Sequence, residues 1–321
     1  MSHKLESTGL LRLGAIGAFT LVMIVFFILA PTFLSIGNLA DVLQQSAILA
    51  LLAFGLTVVI IGGGGNVVAG GIDLSVAANL GLSAAIYATT IKHGYGDAVA
   101  VMTTLATGII IGLANAFAVV WLRIFPLLAT LAVAKITSGL EFVLTQNTVV
   151  SANSLFLSWI AGPGPLGIPI MVYGLIITVL LVLPAVQATP GGLRLHAVGA
   201  HPEAARASGL NLSAYITGSY VISGLHAALA GILSVAYLSG TSPGTDNQML
   251  SVVVAALLGV FFSPHLTPTI GGTLLAVLFI GLLGNGFQLV NISSYWISGV
   301  EGVLILFVVA WTTLSQREAM I

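Results

Sequence analysis

Apolar stretches of about 20 residues recur along almost the whole chain, and no other feature restricts its fold so strongly. A bilayer's hydrocarbon core is about 30 Å thick, and a helix rising about 1.5 Å per residue crosses it with about 20 residues. Runs of that size lie near 13–34, 45–64, 72–91, 98–121, 125–146, 168–187, 213–238, 249–263, 268–286 and 294–314. They predict an all-α, polytopic integral membrane protein of about ten transmembrane helices, a single domain over residues 1–321. The tightest boundary is between the eighth and ninth runs, at Ser263, Pro264, His265, Thr267 and Pro268. With 58% apolar and only 5% charged residues, a water-soluble fold would leave large apolar surfaces uncovered. The strands of a transmembrane barrel would alternate rather than read as continuous apolar runs.

Cations orient the bundle. With a cytoplasmic amino terminus and ten spans, Lys4, Arg12, Arg123, Arg194, Arg206 and Arg317 fall inside and Lys92 outside. Both termini are then expected in the cytoplasm. The first apolar run follows Lys4 and Arg12, but it is longer than a signal-peptide core and no small-x-small site follows, so it reads as a retained helix. The absence of cysteine excludes disulfides and thiolate chemistry, and a net charge of −1 gives no footing for nucleic acid.

One polar stretch breaks the pattern. Leu193 to Asn211 (LRLHAVGAHPEAARASGLN) carries two arginines, a glutamate and two histidines, so it must face water. On the topology above, the loop 188–212 is cytoplasmic. Within it Pro202 suits a first helical turn, Glu203 favours the positive helix end, and Gly209 can close the turn in a left-handed conformation. Glu203 and Arg206, three apart, can pair with each other or with a partner, and Ala204, Ala205 and Ala207 permit close approach.

Charges and loops then narrow the chemistry. Only Lys135, Glu141 and Glu301 lie well inside expected spans, with Asp73 at a helix start. Lys135 and Glu141 are six residues apart, about 240° around a helix, and do not face each other. Glu301 is either a functional carboxylate or a group hydrogen-bonded to a neighbouring helix. No segment supplies the G-x-x-x-x-G-K-[ST] phosphate loop, so the chain is not expected to hydrolyse ATP. His196 and His201 lack the acidic partner of a zinc motif and read as solvated loop residues; no metal site is expected.

The glycines interrupt a helix. Gly62, Gly63, Gly64, Gly65, Gly70 and Gly71 in GGGGNVVAGGIDLSV each cost about 1 kcal/mol relative to alanine in a helix interior, so the second span ends or unwinds there. Asp73 is expected to cap the third helix through its carboxylate, and Gly70, Gly71, Asp73 and Ser75 together form a candidate hinge. DLSVAANLGL from Asp73 is echoed by DNQMLSVVVAALLG from Asp246, on the opposite side of the assigned topology, as an inverted repeat would place it. Four amides in apolar surroundings, Asn79, Asn115, Asn285 and Gln288, are candidates for lining a pathway for a neutral solute; the alternative is interhelical hydrogen bonding. Gly108 and Gly112 in GIIIG read as a small-xxx-small packing contact.

GGIDLSV (70–76), AVGAHPEAARASGLN (197–211) and SGLHAALAGIL (223–233) resemble the permease subunits of ABC importers for ribose, galactose, xylose and similar sugars. That group shares a superfamily with branched-chain amino-acid permeases. The resemblance covers the chain from about residue 45 onward. It implies a pathway made by two permease copies, identical or related, in the bacterial inner membrane. It also implies a cytoplasmic ATP-binding subunit that carries the ATP-Mg, a periplasmic substrate-binding protein, and a coupling helix formed here by Pro202, Glu203, Ala204, Ala205, Arg206, Ala207, Ser208 and Gly209. The chain departs from the family pattern where Ala77, Ala78 and Asn79 replace a usual glycine region, and at GVFFSPHLTPTIGG (259–272). The expected function is import of a monosaccharide. The alternatives are a branched-chain amino-acid or nucleoside permease of the same superfamily and an ion-coupled secondary transporter.

Overall fold

The computed structural model describes residues 2–64, 70–263, 266–293 and 295–318. Gly65, Asn66, Pro264 and His265, which belong to two of the expected interruptions, lie outside the described residues, as does the side chain of Asp246. The helices are α1 (Ser2–Leu29), α2 (Ile36–Gly63), α3 (Val76–Lys92), α4 (Asp97–Ala116), α5 (Pro126–Thr145), α6 (Leu155–Ala161), α7 (Ile170–Gln187), α8 (Pro190–Ala200), α9 (Pro202–Ala207), α10 (Leu212–Leu238), α11 (Met249–Phe262), α12 (Ile270–Leu289) and α13 (Tyr295–Glu318). Every expected apolar run falls on one of them. Among the described residues, six helices are long and apolar enough to cross a membrane: α2, α4 with its terminal π turn, α5, α7, α10 and α12. The chain is a multi-pass, predominantly helical membrane protein. A single two-residue ladder pairs β1 (Val150–Ser151) with β2 (Gly240–Thr241) among the described residues.

Helix ends follow local chemistry. Ser35 and Asn211 cap α2 and α10, accepting from the backbone N–H of Asn38 at 3.3 Å and Ala214 at 3.1 Å. Helix α2 ends at Gly63, and Gly64 turns left-handed at φ 85°, which agrees with the expected interruption. The third helix begins later than expected, at Val76 rather than near residue 72.

Helices α2 and α10 form the centre. Helix α10 packs along α2, α4 and α3, and α2 also meets α12, α11, α7 and α8. A helix apolar on all sides is one enclosed by other helices, and in α2 83% of the most apolar window is buried. Helix α7 is the opposite case. Its Leu180, Leu181 and Ile177 are exposed, which only a lipid solvent makes favourable.

Small residues set the central contacts. A Cβ at Gly224 of α10 would collide with the Gly108 carbonyl of α4, and one at Gly112 would meet the Tyr220 carbonyl, so these backbones touch directly. The GIIIG pair is therefore a packing contact, as its spacing predicts. On the other flank, Thr57 of α2 and Thr273 of α12 share a hydrogen bond of 2.8 Å, and Gly259 of α11 lies against Gly272 and Thr273.

Candidate functional site

Three places gather the polar side chains. The first is the segment between α2 and α3. Residues 70–75 are not helical yet are buried, apart from the partly exposed Leu74, so their backbone groups need partners from other helices. Tyr220 donates its hydroxyl to the Ile72 carbonyl at 3.3 Å, and Leu74 N–H donates to Thr130 Oγ1 at 3.1 Å. Asp73 is 1% exposed and is not a helix cap. Ser75 occupies the cap position of α3 and its side chain makes no capping bond, because α3 starts three residues after Asp73 and the Asp73 carboxylate closes a tighter turn. Its Oδ1 accepts from Ser75 N at 2.9 Å and Ser75 Oγ at 2.6 Å, and Oδ2 accepts from Ser223 Oγ of α10 at 2.7 Å.

Two of the four candidate pathway amides are buried beside this segment, one of them in the cluster itself. Asn115 of α4 donates to Ser75 Oγ at 2.6 Å and to Asp73 Oδ1 at 3.3 Å. Asn79 of α3 donates to the Gly224 carbonyl at 3.4 Å and accepts from Ser83 at 3.1 Å. Both are fully buried between α3, α4 and α10. Asp73 thus joins the broken segment to two further helices. Gly71 sits where a Cβ would strike the Val59 carbonyl, which holds the segment against α2.

The second place is the polar loop. It is more structured than its composition implies, because α8 precedes α9. Gly199 of α8 lies against the Ile61 carbonyl and Leu195 packs on Gly62, which fixes α8 to the end of α2. His196 on α8 is half-buried, and burial holds its pKa below the ordinary value. In α9, Pro202 occupies the first turn, Gly209 takes φ 84°, and Arg206 lies 3.6 Å from Glu203 with both side chains exposed. Ala205 differs from expectation. It is 4% exposed and faces the protein, so only Ala204 and Ala207 of the three alanines face outward. Ser208 Oγ donates to the Ala205 carbonyl at 2.8 Å and closes the turn.

The third place is a cavity of about 370 Å³ where α2, α10, α11, α12 and α13 meet. Its polar lining includes Gln45, Tyr237, Gln248, Asn285, Gln288 and Glu301. Ser251 donates to Glu301 Oε1 at 2.6 Å, so Glu301 is both bonded to a neighbouring helix and part of a cavity wall. Asn38 and Asn285 exchange two hydrogen bonds at 2.8 and 2.9 Å, and Gln45 donates to the Tyr237 hydroxyl at 3.1 Å. The cavity and α9 lie at opposite ends of α10, whose 27 residues span about 40 Å. Asn285 and Gln288 were visible as amides in an apolar run. Gln248, Ser251 and Tyr237 sit near helix ends, where polar residues are ordinary, and Gln45 lies at the polar start of an apolar run, so only their convergence distinguishes them.

The family's sequence model, described as branched-chain amino acid transport system / permease component, matches residues 38–309. The chain belongs to this permease family. It is 34% identical to the ribose import permease protein of Escherichia coli (strain K12) over 88% of this chain and 87% of that one. The ribose import permease protein of Bacillus subtilis (strain 168) is also 34% identical, over 92% and 90% of the two chains. The galactofuranose transporter permease protein of Escherichia coli (strain K12) is 32% identical over 84% and 82%. Membership in this family places the chain among transport permeases.

Proposed function

We propose that this permease is the membrane subunit of an ATP-driven importer for a monosaccharide, with the cavity as a transit site and α9 as the coupling element. The observation that carries the reading is the position of α9: an exposed, charged helical turn, tied through α8 to the end of α2 and leading directly into α10. A push on α9 therefore reaches the two central helices, which both line the cavity about 40 Å away. The ATP-Mg would be held by a cytoplasmic ATP-binding subunit docked on α9 within the loop 188–212. A periplasmic binding protein would deliver the solute to the cavity end, and a second permease copy would complete the pathway.

This arrangement fits cytoplasmic termini and ten spans, counting α1, α3, α11 and α13 with the six longer apolar helices. Asp246 in the turn before α11 would correspond to Asp73 before α3 in an inverted repeat. The Asp73 cluster would act as the joint between α2 and α3 during alternating access. Amides, hydroxyls and a phenol set among the aliphatic walls Ile48, Leu49, Leu238, Ile280 and Ile297 fit a polyol, whose hydroxyls they can bond and whose ring faces are apolar.

The test is Glu203→Ala combined with Arg206→Ala. The exposed pair adds little to stability, so the variant is expected to insert and fold normally while sugar-stimulated ATPase activity of the assembled transporter and sugar uptake both fall at least tenfold. Unchanged uptake would refute the coupling role of α9.

A further inference from the structure

We infer that the cavity is charge-selective: Glu301 makes it accept neutral or cationic polyols and repel anionic ones, so that phosphorylated sugars and sugar acids are refused by the permease itself. The inference rests on the transit role proposed above. Glu301 is the only carboxylate among the described lining residues, and no lysine or arginine lines the cavity. It is 3% exposed, on α13, and among the described residues its hydrogen bond comes from a neutral hydroxyl, Ser251 Oγ at 2.6 Å, with no cation offsetting it there. The other polar groups of the lining are amides, hydroxyls and the Tyr237 phenol, which carry no formal charge at neutral pH.

Two further observations point to a solute rather than to packing alone. Ser46 lines the same cavity and is 1% exposed, and its Oγ has no hydrogen-bond partner among the described residues, which leaves an unmet bond at the wall. The cavity volume of about 370 Å³ lies at the small end of ligand-sized pockets, roughly 300–1,000 Å³, as a single sugar ring requires. Asp41, exposed on α2, stands one helical turn before Gln45 on the same face and adds negative charge towards that end. Ser251 is a positioning residue. It holds Oε1 and leaves the second carboxylate oxygen available to accept from a solute hydroxyl.

The chain has no cysteine, so a single introduced thiol reports local charge without background. Gln288→Cys in the full-length chain, in lipid nanodiscs open on both sides, is reacted with methanethiosulfonates bearing either a trimethylammonium or a sulfonate group. Each rate is divided by that of a free thiol in solution. A carboxylate several ångströms away in a partly desolvated site changes the rates in opposite directions, giving a cation preference of about tenfold or more. Val149→Cys, exposed away from the cavity, is expected to show a ratio near one.

Adding Glu301→Gln to Gln288→Cys is expected to reduce the preference several-fold, with Asp41 responsible for the remainder. If Glu301→Gln does not fold, Ser251→Ala with Glu301→Met replaces both partners by apolar groups and must give the same reduction. A Gln288→Cys ratio equal to that at Val149→Cys, or one unaffected by loss of the Glu301 charge, overturns the inference. The labelling does not depend on uptake, so failure of the coupling test at α9 and failure of charge selection are distinguishable.

Discussion

Replacing Asp73 by alanine should weaken the protein far more than replacing it by asparagine. The carboxylate accepts from Ser75 N at 2.9 Å, Ser75 Oγ at 2.6 Å, Ser223 Oγ at 2.7 Å and Asn115 Nδ2 at 3.3 Å. Asn115 retains its 2.6 Å bond to Ser75 Oγ, so its longer bond contributes least. The losses in the alanine variant are the acceptors of the Ser75 N–H, the Ser75 hydroxyl and the Ser223 hydroxyl, of which the two hydroxyls can rotate towards other acceptors. Each bond to a charged acceptor contributes about 1.5–3 kcal/mol, and relief of the buried carboxylate offsets part of the sum, which leaves a net cost of about 3 kcal/mol. In a chain of this size that lowers the melting temperature by about 6 °C, at about 2 °C per kcal/mol. Asparagine keeps an acceptor for Ser75, and its amide can donate to Ser223 Oγ, so it should cost only about 1 kcal/mol, or about 2 °C. The assay is tryptophan-fluorescence melting in detergent, together with a double-mutant cycle against Ser223→Ala, in which a coupling of about 1–2 kcal/mol is expected. Equal melting temperatures for the alanine and asparagine variants, or additive effects in the cycle, would refute the clustered geometry. Sugar uptake should survive Asp73→Asn; a folded variant without uptake would instead mark Asp73 as an ion-coupling carboxylate.

Gly224→Ala should lower the melting temperature by several degrees, since overpacking costs about 1–3 kcal/mol and the added methyl meets the Gly108 carbonyl; an unchanged melt would mean that α4 and α10 separate easily. Asn38→Ala or Asn285→Ala should each cost about 1–2 kcal/mol by orphaning the opposite amide, whereas Asn38→Leu with Asn285→Leu should recover most of the loss, measured by the same melts. Burial lowers the pKa of His196 in the folded chain, so the unfolded chain binds the proton more readily. Stability is therefore full above the ordinary value near 6.5 and is lost as pH falls below it, and His196→Gln should flatten that part of the pH profile. An identical profile in the variant would place the acid sensitivity elsewhere.

The residues that read most clearly in the sequence were those whose signal is local. Apolar runs locate helices because every backbone donor in lipid must be satisfied within its own segment. The same locality made the Gly63–Gly64 break, the Pro202 and Gly209 boundaries and the Glu203–Arg206 spacing legible. Asp73 shows where such reading stops. Its position before a helix suggested a cap, but the helix starts at Val76 and the carboxylate is turned towards Ser223, 150 residues away. Ala205 is similar: its neighbours predict a helical turn, and only the packing of that turn decides that it faces inward.

The amides divide for the same reason. Asn79, Asn115, Asn285 and Gln288 look equivalent as polar residues in apolar runs, yet Asn115 is held in the Asp73 cluster, Asn79 bonds the Gly224 carbonyl and Ser83, and the other two line the cavity. Sequence alone determined a multi-pass helical permease with one polar loop, because composition, periodicity and turn chemistry act over a few residues. Tertiary structure alone decided which polar groups meet, since hydrogen bonds between helices join residues far apart in the chain, and no spacing along the sequence encodes which helix faces which.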